Sequence, residues 1–224
     1  MKLAVLFSGG KDSTYALSKA MNFHEIECLI TVVSENKESY MFHTPNINLT
    51  ELQAESMGIP LISAKTKGKK EEELKDLRDA IVQAKALFNI EGIVTGAIES
   101  VYQAARIQII CDDLNIWCFN PLWQIDQVKL LHELIENRFE VIISGVFAYP
   151  FDESWLGRKI DDKTIKELIL LQKKYSINPS GEGGEIETLV LNCPLFKKRL
   201  EIVKAQKMYA NHSGIIDIME ARLI

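Results

Sequence analysis

Leu3-Ala4-Val5-Leu6-Phe7-Ser8-Gly9-Gly10-Lys11-Asp12-Ser13 joins an apolar run to a hydroxyl, two glycines, a lysine, an aspartate and a second hydroxyl, and a helical pattern follows from Thr14 to Met21. A buried strand that ends in such a turn and re-enters a helix brings backbone N–H groups and a helix N-terminus to one point, which is an anion site. Gly9 and Gly10 accommodate positive φ and leave no Cβ between the backbone and a phosphate. Ser8 and Ser13 add hydroxyl donors, and Lys11 adds a cation. The spacing differs from the GxxxxGK[ST] loop, whose lysine follows a longer glycine-bounded turn. A surface turn that caps a helix accounts for the serines and the aspartate, but not for two glycines behind an apolar strand.

Outward from this join, the segments 3–7, 28–33, 59–63 and 92–95 are short and rich in Val, Ile and Leu, as buried parallel strands are. The segments 12–22, 47–57, 70–88 and 99–112 between them carry helical periodicity. The charge run Lys69-Lys70-Glu71-Glu72-Glu73 reads as the solvated first turn of the third of these helices. Strands separated by helices of this length predict a doubly wound, mostly parallel α/β sheet, with the glycine loop at the C-terminal edge of the first strand. After Asn120-Pro121 the texture changes to a helix at 126–136, a strand at 139–146, a helix at 161–174 and strands at 189–191, 200–208 and 215–223, the last two joined through 210–214 as a hairpin or meander. One domain with an elaborated end and two domains meeting at a cleft both fit this pattern. The second is favoured: residues 1–124 as the nucleotide-binding domain, and 125–224 as a smaller α+β domain that completes the cleft.

The 224 residues, 47% of them hydrophobic, suffice for a full core. A net charge of -5, from 26 basic and 31 acidic residues, argues against a nonspecific nucleic-acid or membrane-surface binder. Cys28, Cys111, Cys118 and Cys193 form no close CxxC pair and read as reduced cytoplasmic thiols. No apolar run reaches 18 residues, and Met1-Lys2 leads directly into a strand.

Three further segments carry chemistry. At 95–106, Gly96 ends the fourth strand and a helix begins near Ser100, so Ser100, Gln103 and Arg106 fall on related turns. A capping serine and a surface arginine explain these residues; so does an approach of Gly96 to a nucleotide, with Arg106 pairing an anion through its planar fork. In Asp152-Glu153-Ser154-Trp155-Leu156-Gly157-Arg158, Trp155 and Arg158 frame a polar substrate or simply pack on the next helix. In Asn178-Pro179-Ser180-Gly181-Glu182-Gly183-Gly184-Glu185-Ile186-Glu187-Thr188, three glycines interleave with three glutamates. Such a backbone is costly to order unless something requires its shape, and its carboxylates suit Mg²⁺, a cationic substrate or an incoming amine. A flexible acidic surface loop is the plainer account, set against an abrupt passage into Leu189-Val190-Leu191.

SGGKDS at 8–13 resembles the PP-loop of the ATP pyrophosphatase superfamily. Together with GAIESVYQAARIQIIC at 96–111, NPLW at 120–123, ESWLGRKID at 153–161 and GEGGEIETLVLNCPLF at 181–196, it extends a closer resemblance over nearly the whole chain, to the diphthine-ammonia ligase (diphthamide synthase) family of archaea and eukaryotes. The chain departs from the family pattern at Gln108, Ile186 and Asn192, where an acid, an aromatic and an aspartate are common. The resemblance implies an adenine nucleotide α-hydrolase-like domain with a smaller second domain, and an AMP-forming carbon–nitrogen ligase. In that reaction ATP and ammonium convert diphthine on translation elongation factor 2 to diphthamide through an acyl-adenylate, releasing AMP and pyrophosphate.

Carried over to this chain, Ser8, Gly9, Gly10, Lys11, Asp12, Ser13 and Gly96 bind ATP, with Asp12 toward Mg²⁺. Lys11, Asp12, Ser13, Arg106 and Glu185 are the catalytic candidates. Ser100, Tyr102, Gln103, Trp155, Arg158, Gly181, Glu182, Gly183, Gly184, Glu185 and Glu187 are the candidates for the acyl substrate, whose trimethylammonium suits acidic and aromatic surroundings. No nucleic acid or membrane partner is expected, and the sequence leaves oligomerisation open. Another adenylating PP-loop ligase, such as a tRNA-modifying enzyme, and a noncatalytic ATP-binding protein are the alternatives.

Overall fold

Runs of apolar residues with no charged face make strands that are covered on both sides. In the computed structural model, which describes residues 1–35, 45–68 and 72–224, these runs form β1 (Lys2–Leu6), β2 (Glu25–Ser34), β3 (Leu61–Thr66) and β4 (Gly92–Val94), joined at one edge by β5 (Trp117–Phe119). Every pairing is parallel and the order is β3-β2-β1-β4-β5. Helices α1 (Lys11–Ala20), α2 (Thr50–Met57), α3 (Glu72–Phe88) and α4 (Val101–Asp113) make the crossovers. Leu3, Ala4, Val5 and Ile93 are fully buried, and Ala4 and Ile93 share one core with Leu77, Ile81, Ala84 and Cys111. The chain passes from β1 to β2 on one side, whereas β4 lies on the other side of β1 and leads outward to β5. The C-terminal ends of β1 and β4 therefore form the switch point of the sheet, where open α/β sheets hold ligands.

The described residues separate into two compact units, Met1–Ser8 with Asp12–Trp123, and Gly9–Lys11 with Gln124–Ile224. In the second unit α5 (Gln127–Glu136) and α6 (Asp162–Tyr175) accompany an antiparallel sheet of order β7-β6-β9-β8, built from β6 (Glu140–Val146), β7 (Ile186–Asn192), β8 (Leu200–Ala210) and β9 (Ser213–Leu223). Leu130, Leu131, Leu134, Ile165 and Leu168 are fully buried, as the helical periodicity requires. Asp126 and Asp161 cap the two helices, accepting from Lys129 N and Thr164 N at 2.8 Å each. The β8–β9 hairpin closes through Asn211 and Asn211's neighbour His212, both at positive φ (49° and 60°), the geometry of a two-residue type I′ turn.

Four expectations are corrected. The first helix begins at Lys11, one residue before the 12–22 pattern, so Lys11 is part of its first turn. Gly9 has positive φ, at 76°, and Gly10 does not. The edge strand β5 was not foreseen, because three partly exposed residues give too short a pattern. Of the charge run, Lys69, Lys70 and Glu71 lie outside the described residues, and Glu73 is buried rather than solvated.

Candidate active site

Where β1 ends, the sequence must convert a strand into a helix within four residues. Phe7 N–H still donates to Ile30 O at 2.8 Å, and the fully buried Thr31 hydroxyl donates to Phe7 O at 2.7 Å, which fixes the last carbonyl before the loop. Ser8 N–H then donates to Ser13 Oγ at 3.2 Å, and the two serine hydroxyls lie 3.2 Å apart. The loop is thereby closed on the first turn of α1. Lys11 is only 3% exposed, so its ammonium is held in the structure rather than waving in solvent.

The end of β4 reaches the same point. A Cβ on Gly96 would come within 2.7 Å of Ser13 N and 2.8 Å of Asp12 C, both backbone atoms of the SGGKDS segment. Glycine is therefore the residue that lets β4 and the loop share this space. Thr95 Oγ1 donates to Asn120 Oδ1 at 2.5 Å and accepts from Ala97 N at 3.1 Å, which ties the NPLW segment to the turn. On α4, Ser100 is the N-cap and accepts from Gln103 N at 3.4 Å, and the Arg106 guanidinium lies 3.5 Å from the Tyr102 ring centroid. Ser100, Tyr102, Gln103 and Arg106 thus belong to one helix start just beyond Gly96. Gln108, a departure from the family pattern, donates to Asp112 Oδ1 at 2.8 Å on the exposed face of the same helix.

The glycine-rich segment is a built loop. Glu185 Oε1 accepts from Asn178 N at 2.9 Å and from Asn178 Nδ2 at 2.8 Å, and its Oε2 accepts from Gly183 N at 2.9 Å. Gly181 and Gly184 have φ of 82° and 81°. A Cβ on Gly181 would also fall 2.6 Å from Ile186 O, and one on Gly183 would meet the Glu185 carboxylate at 2.7 Å. Gln127 braces the loop from α5, accepting from Ser180 Oγ at 2.8 Å and donating to Asn178 Oδ1 at 3.2 Å. Glu182 and Glu187 are half-buried on either side of this staple. Glu185, expected as a catalytic carboxylate, accepts three hydrogen bonds from the loop itself. Ile186 is buried against Gly181, so that departure is a packing residue.

Gly9–Lys11 belongs to the second unit because β7 holds it: Gly9 O accepts from Val190 N at 3.0 Å, and Lys11 N–H donates to Thr188 Oγ1 at 3.1 Å. Nothing near either partner in sequence signals this pairing. The remaining candidates form a separate cluster. Trp155 is 6% exposed and stands edge-on to Phe151 at 5.0 Å, and the Arg158 guanidinium covers it at 4.0 Å while pairing Glu167 at 2.8 Å. The segment docks on β6, with Gly157 N donating to Ile143 O at 2.8 Å and Ile143 N to Arg158 O at 2.9 Å. Trp155 and Arg158 are therefore each engaged within the fold itself.

Among the described residues no three His, Cys, Asp or Glu side chains gather as a metal cage. The Asp12 carboxylate, in the first turn of α1, is the hard oxygen donor present here of the kind that Mg²⁺ takes. Cys28 and Cys193 do not read as nucleophiles. Burial pushes Cys28 up to about 12 and Cys193 up to about 11. Cys111 and Cys118 share a hydrogen bond that raises the first thiol and lowers the second. Among the described residues no helix is long and apolar enough to cross a membrane.

A family model for the diphthamide synthase N-terminal domain matches residues 1–117, and one for the diphthamide synthase C-terminal domain matches residues 126–224. The chain is 33% identical over 243 residues to the diphthine–ammonia ligase of Rattus norvegicus, covering 100% of this chain and 91% of that protein. With the Homo sapiens diphthine–ammonia ligase the identity is 36% over 220 residues, covering 89% and 82% respectively. The Schizosaccharomyces pombe protein of that name is 35% identical over 233 residues, which span 96% of this chain and 38% of the yeast protein.

Proposed function

The chain belongs to the diphthine-ammonia ligase family, and on that premise we propose that it amidates diphthine on translation elongation factor 2, consuming ATP and ammonium and releasing AMP and pyrophosphate. The observation that carries this reading is the meeting of Gly96 with the backbone of Asp12 and Ser13, because it brings two family segments together at the switch of the sheet. Ser8, Gly9, Gly10 and the first turn of α1 receive the phosphates, and Lys11 offsets charge that develops on the departing pyrophosphate. Mg²⁺, with Asp12 as its protein carboxylate, neutralises phosphate charge when bound. A carboxylate oxygen of diphthine displaces pyrophosphate from the α-phosphorus. Ammonia then forms the C–N bond at the acyl carbon, and AMP leaves with that oxygen.

The acyl substrate is assigned to the glycine-rich loop. Glu182 and Glu187 face its trimethylammonium, and Glu185 with Gly181, Gly183 and Gly184 keeps the loop in shape. Arg106 on α4 orients an anion, with Ser100, Tyr102 and Gln103 at the start of its helix. Trp155 and Arg158 support the site through packing. Residues 1–124 and 125–224 are proposed as the nucleotide and substrate domains, acting in the cytoplasm where the translation factor works. The test is to incubate the protein with diphthine-bearing elongation factor 2, ATP, Mg²⁺ and ammonium, then to measure AMP and the mass of the modified histidine peptide. AMP together with conversion of the acid to the amide is the expected result. ADP as the product, or neither product from folded protein that binds ATP, rejects the proposal.

A further inference from the structure

The side chain of Lys11 has a role in the reaction just described, but its backbone amide is committed elsewhere. It lies in the first turn of α1, where amides have no partner within the helix, and it donates to the hydroxyl of Thr188, a residue 177 positions away that is 5% exposed. Two residues further along β7, Val190 N–H donates to the carbonyl of Gly9, two residues back in the loop. Opposite chain directions with matched two-residue steps lay Gly9–Lys11 along the outer edge of β7 like a short antiparallel strand. At one of the two bonds the strand offers a side-chain oxygen in place of a backbone carbonyl. Thr188 supplies that oxygen, which valine at the same position does not.

The same strand begins directly after the Glu185 staple. Three steps of strand rise separate Glu185 from Thr188, roughly 10 Å, so β7 sets the distance from the acidic loop to the phosphate loop. We infer that Thr188 is a positioning residue for the amidation: its hydroxyl fixes the Lys11 amide, and with it the Gly9–Lys11 segment and its buried lysine, at a set distance from the glycine-rich loop. The inference rests on the reading of Gly9–Lys11 as the phosphate site. It adds a residue outside the loop that decides how well the loop is formed.

The test compares wild type, Thr188→Val and Thr188→Ser by equilibrium ATP binding, by KM for ATP and kcat for amide formation, and by thermal midpoint. Valine keeps the branched shape and strand preference and lacks the acceptor. Losing the partner of a buried amide is expected to weaken ATP binding and raise KM for ATP on the order of tenfold, with KM for ammonium unchanged, and serine is expected to restore both ATP values to within about twofold. A merely structural role would lower the thermal midpoint and the active fraction while leaving KM in place. Wild-type ATP affinity and KM in the valine variant, a serine variant as impaired as valine, or tighter ATP binding by valine each overturn the inference; the last would mean that the hydroxyl competes with phosphate for the amide. If the valine protein does not fold, Thr188→Ala against Thr188→Ser decides by the same criteria. A wild-type protein that binds ATP but makes no amide rejects the amidation alone, and the variants' ATP affinities still decide Thr188. A wild-type protein that binds no ATP overturns both.

Discussion

At Gly96 the absence of a side chain is what the site uses. An alanine there would place its Cβ 2.7 Å from Ser13 N and 2.8 Å from Asp12 C, and backbone atoms do not give way as a flexible side chain does. Gly96→Ala is therefore expected to displace the phosphate loop and to lower kcat/KM for ATP on the order of 100-fold, read by steady-state kinetics beside a circular dichroism spectrum that stays folded. Lys11→Ala removes the buried cation and should abolish most turnover with ATP binding partly retained, a split measured by titration against single-turnover rates. Glu185 tests the distinction between a staple and a catalytic carboxylate. In Glu185→Gln the amide NH₂ faces an N–H donor that the carboxylate now accepts from, so the loop loses at least one of three bonds. Thermal stability and affinity for the acyl substrate should fall together. Turnover lost at unchanged stability and affinity would return Glu185 to catalysis.

Among the elements, α6 shows how one side chain sets a boundary and a pH dependence at once. The Asp161 carboxylate accepts from Thr164 N at 2.8 Å, and that amide holds its pKa below the usual carboxylate value. Because the folded value is the lower one, the stabilisation is fully present above the unfolded pKa, roughly 4, and is lost as the pH falls through the folded value. Asp161→Ala should cost about 1 kcal/mol of unfolding free energy at neutral pH. Asp161→Asn should keep most of the cap and lose the acid-side dependence, and urea unfolding between neutral and acid pH separates the two. The helix was legible because its signal is local, a helical periodicity that puts Ile165 and Leu168 on the buried face. The WLGR segment was legible as a motif and not as a contact. Trp155, Phe151, Arg158 and Glu167 meet through the docking of that segment on β6, which no spacing announces.

Taken as a whole, the molecule keeps its most buried thiols protonated, and this limits it at alkaline pH. Cys28 and Cys193, pushed up by burial to about 12 and about 11, stay neutral in the fold where the unfolded chain ionises. Their contribution is fully present below the unfolded thiol pKa, roughly 8.5, and is lost as the pH rises through the folded values. Each should steepen the decline by at most about 1.4 kcal/mol per pH unit within that window. Urea midpoints from pH 8 upward should fall less steeply for Cys28→Ala than for wild type, and equal slopes would refute the assignment. By itself the sequence determined the parallel sheet, the alternation of its first four strands with helices, and the family. Periodicity, capping and turn chemistry act over a few residues and so are written in adjacent letters. Tertiary structure alone decided that β4 ends against the phosphate loop, that Glu185 is spent on its own loop, and that Thr188 and Val190 hold Lys11 and Gly9. Those outcomes depend on which backbone groups and side chains meet across many residues of chain, and a hydrogen bond between positions 177 residues apart leaves no mark on the neighbours of either one.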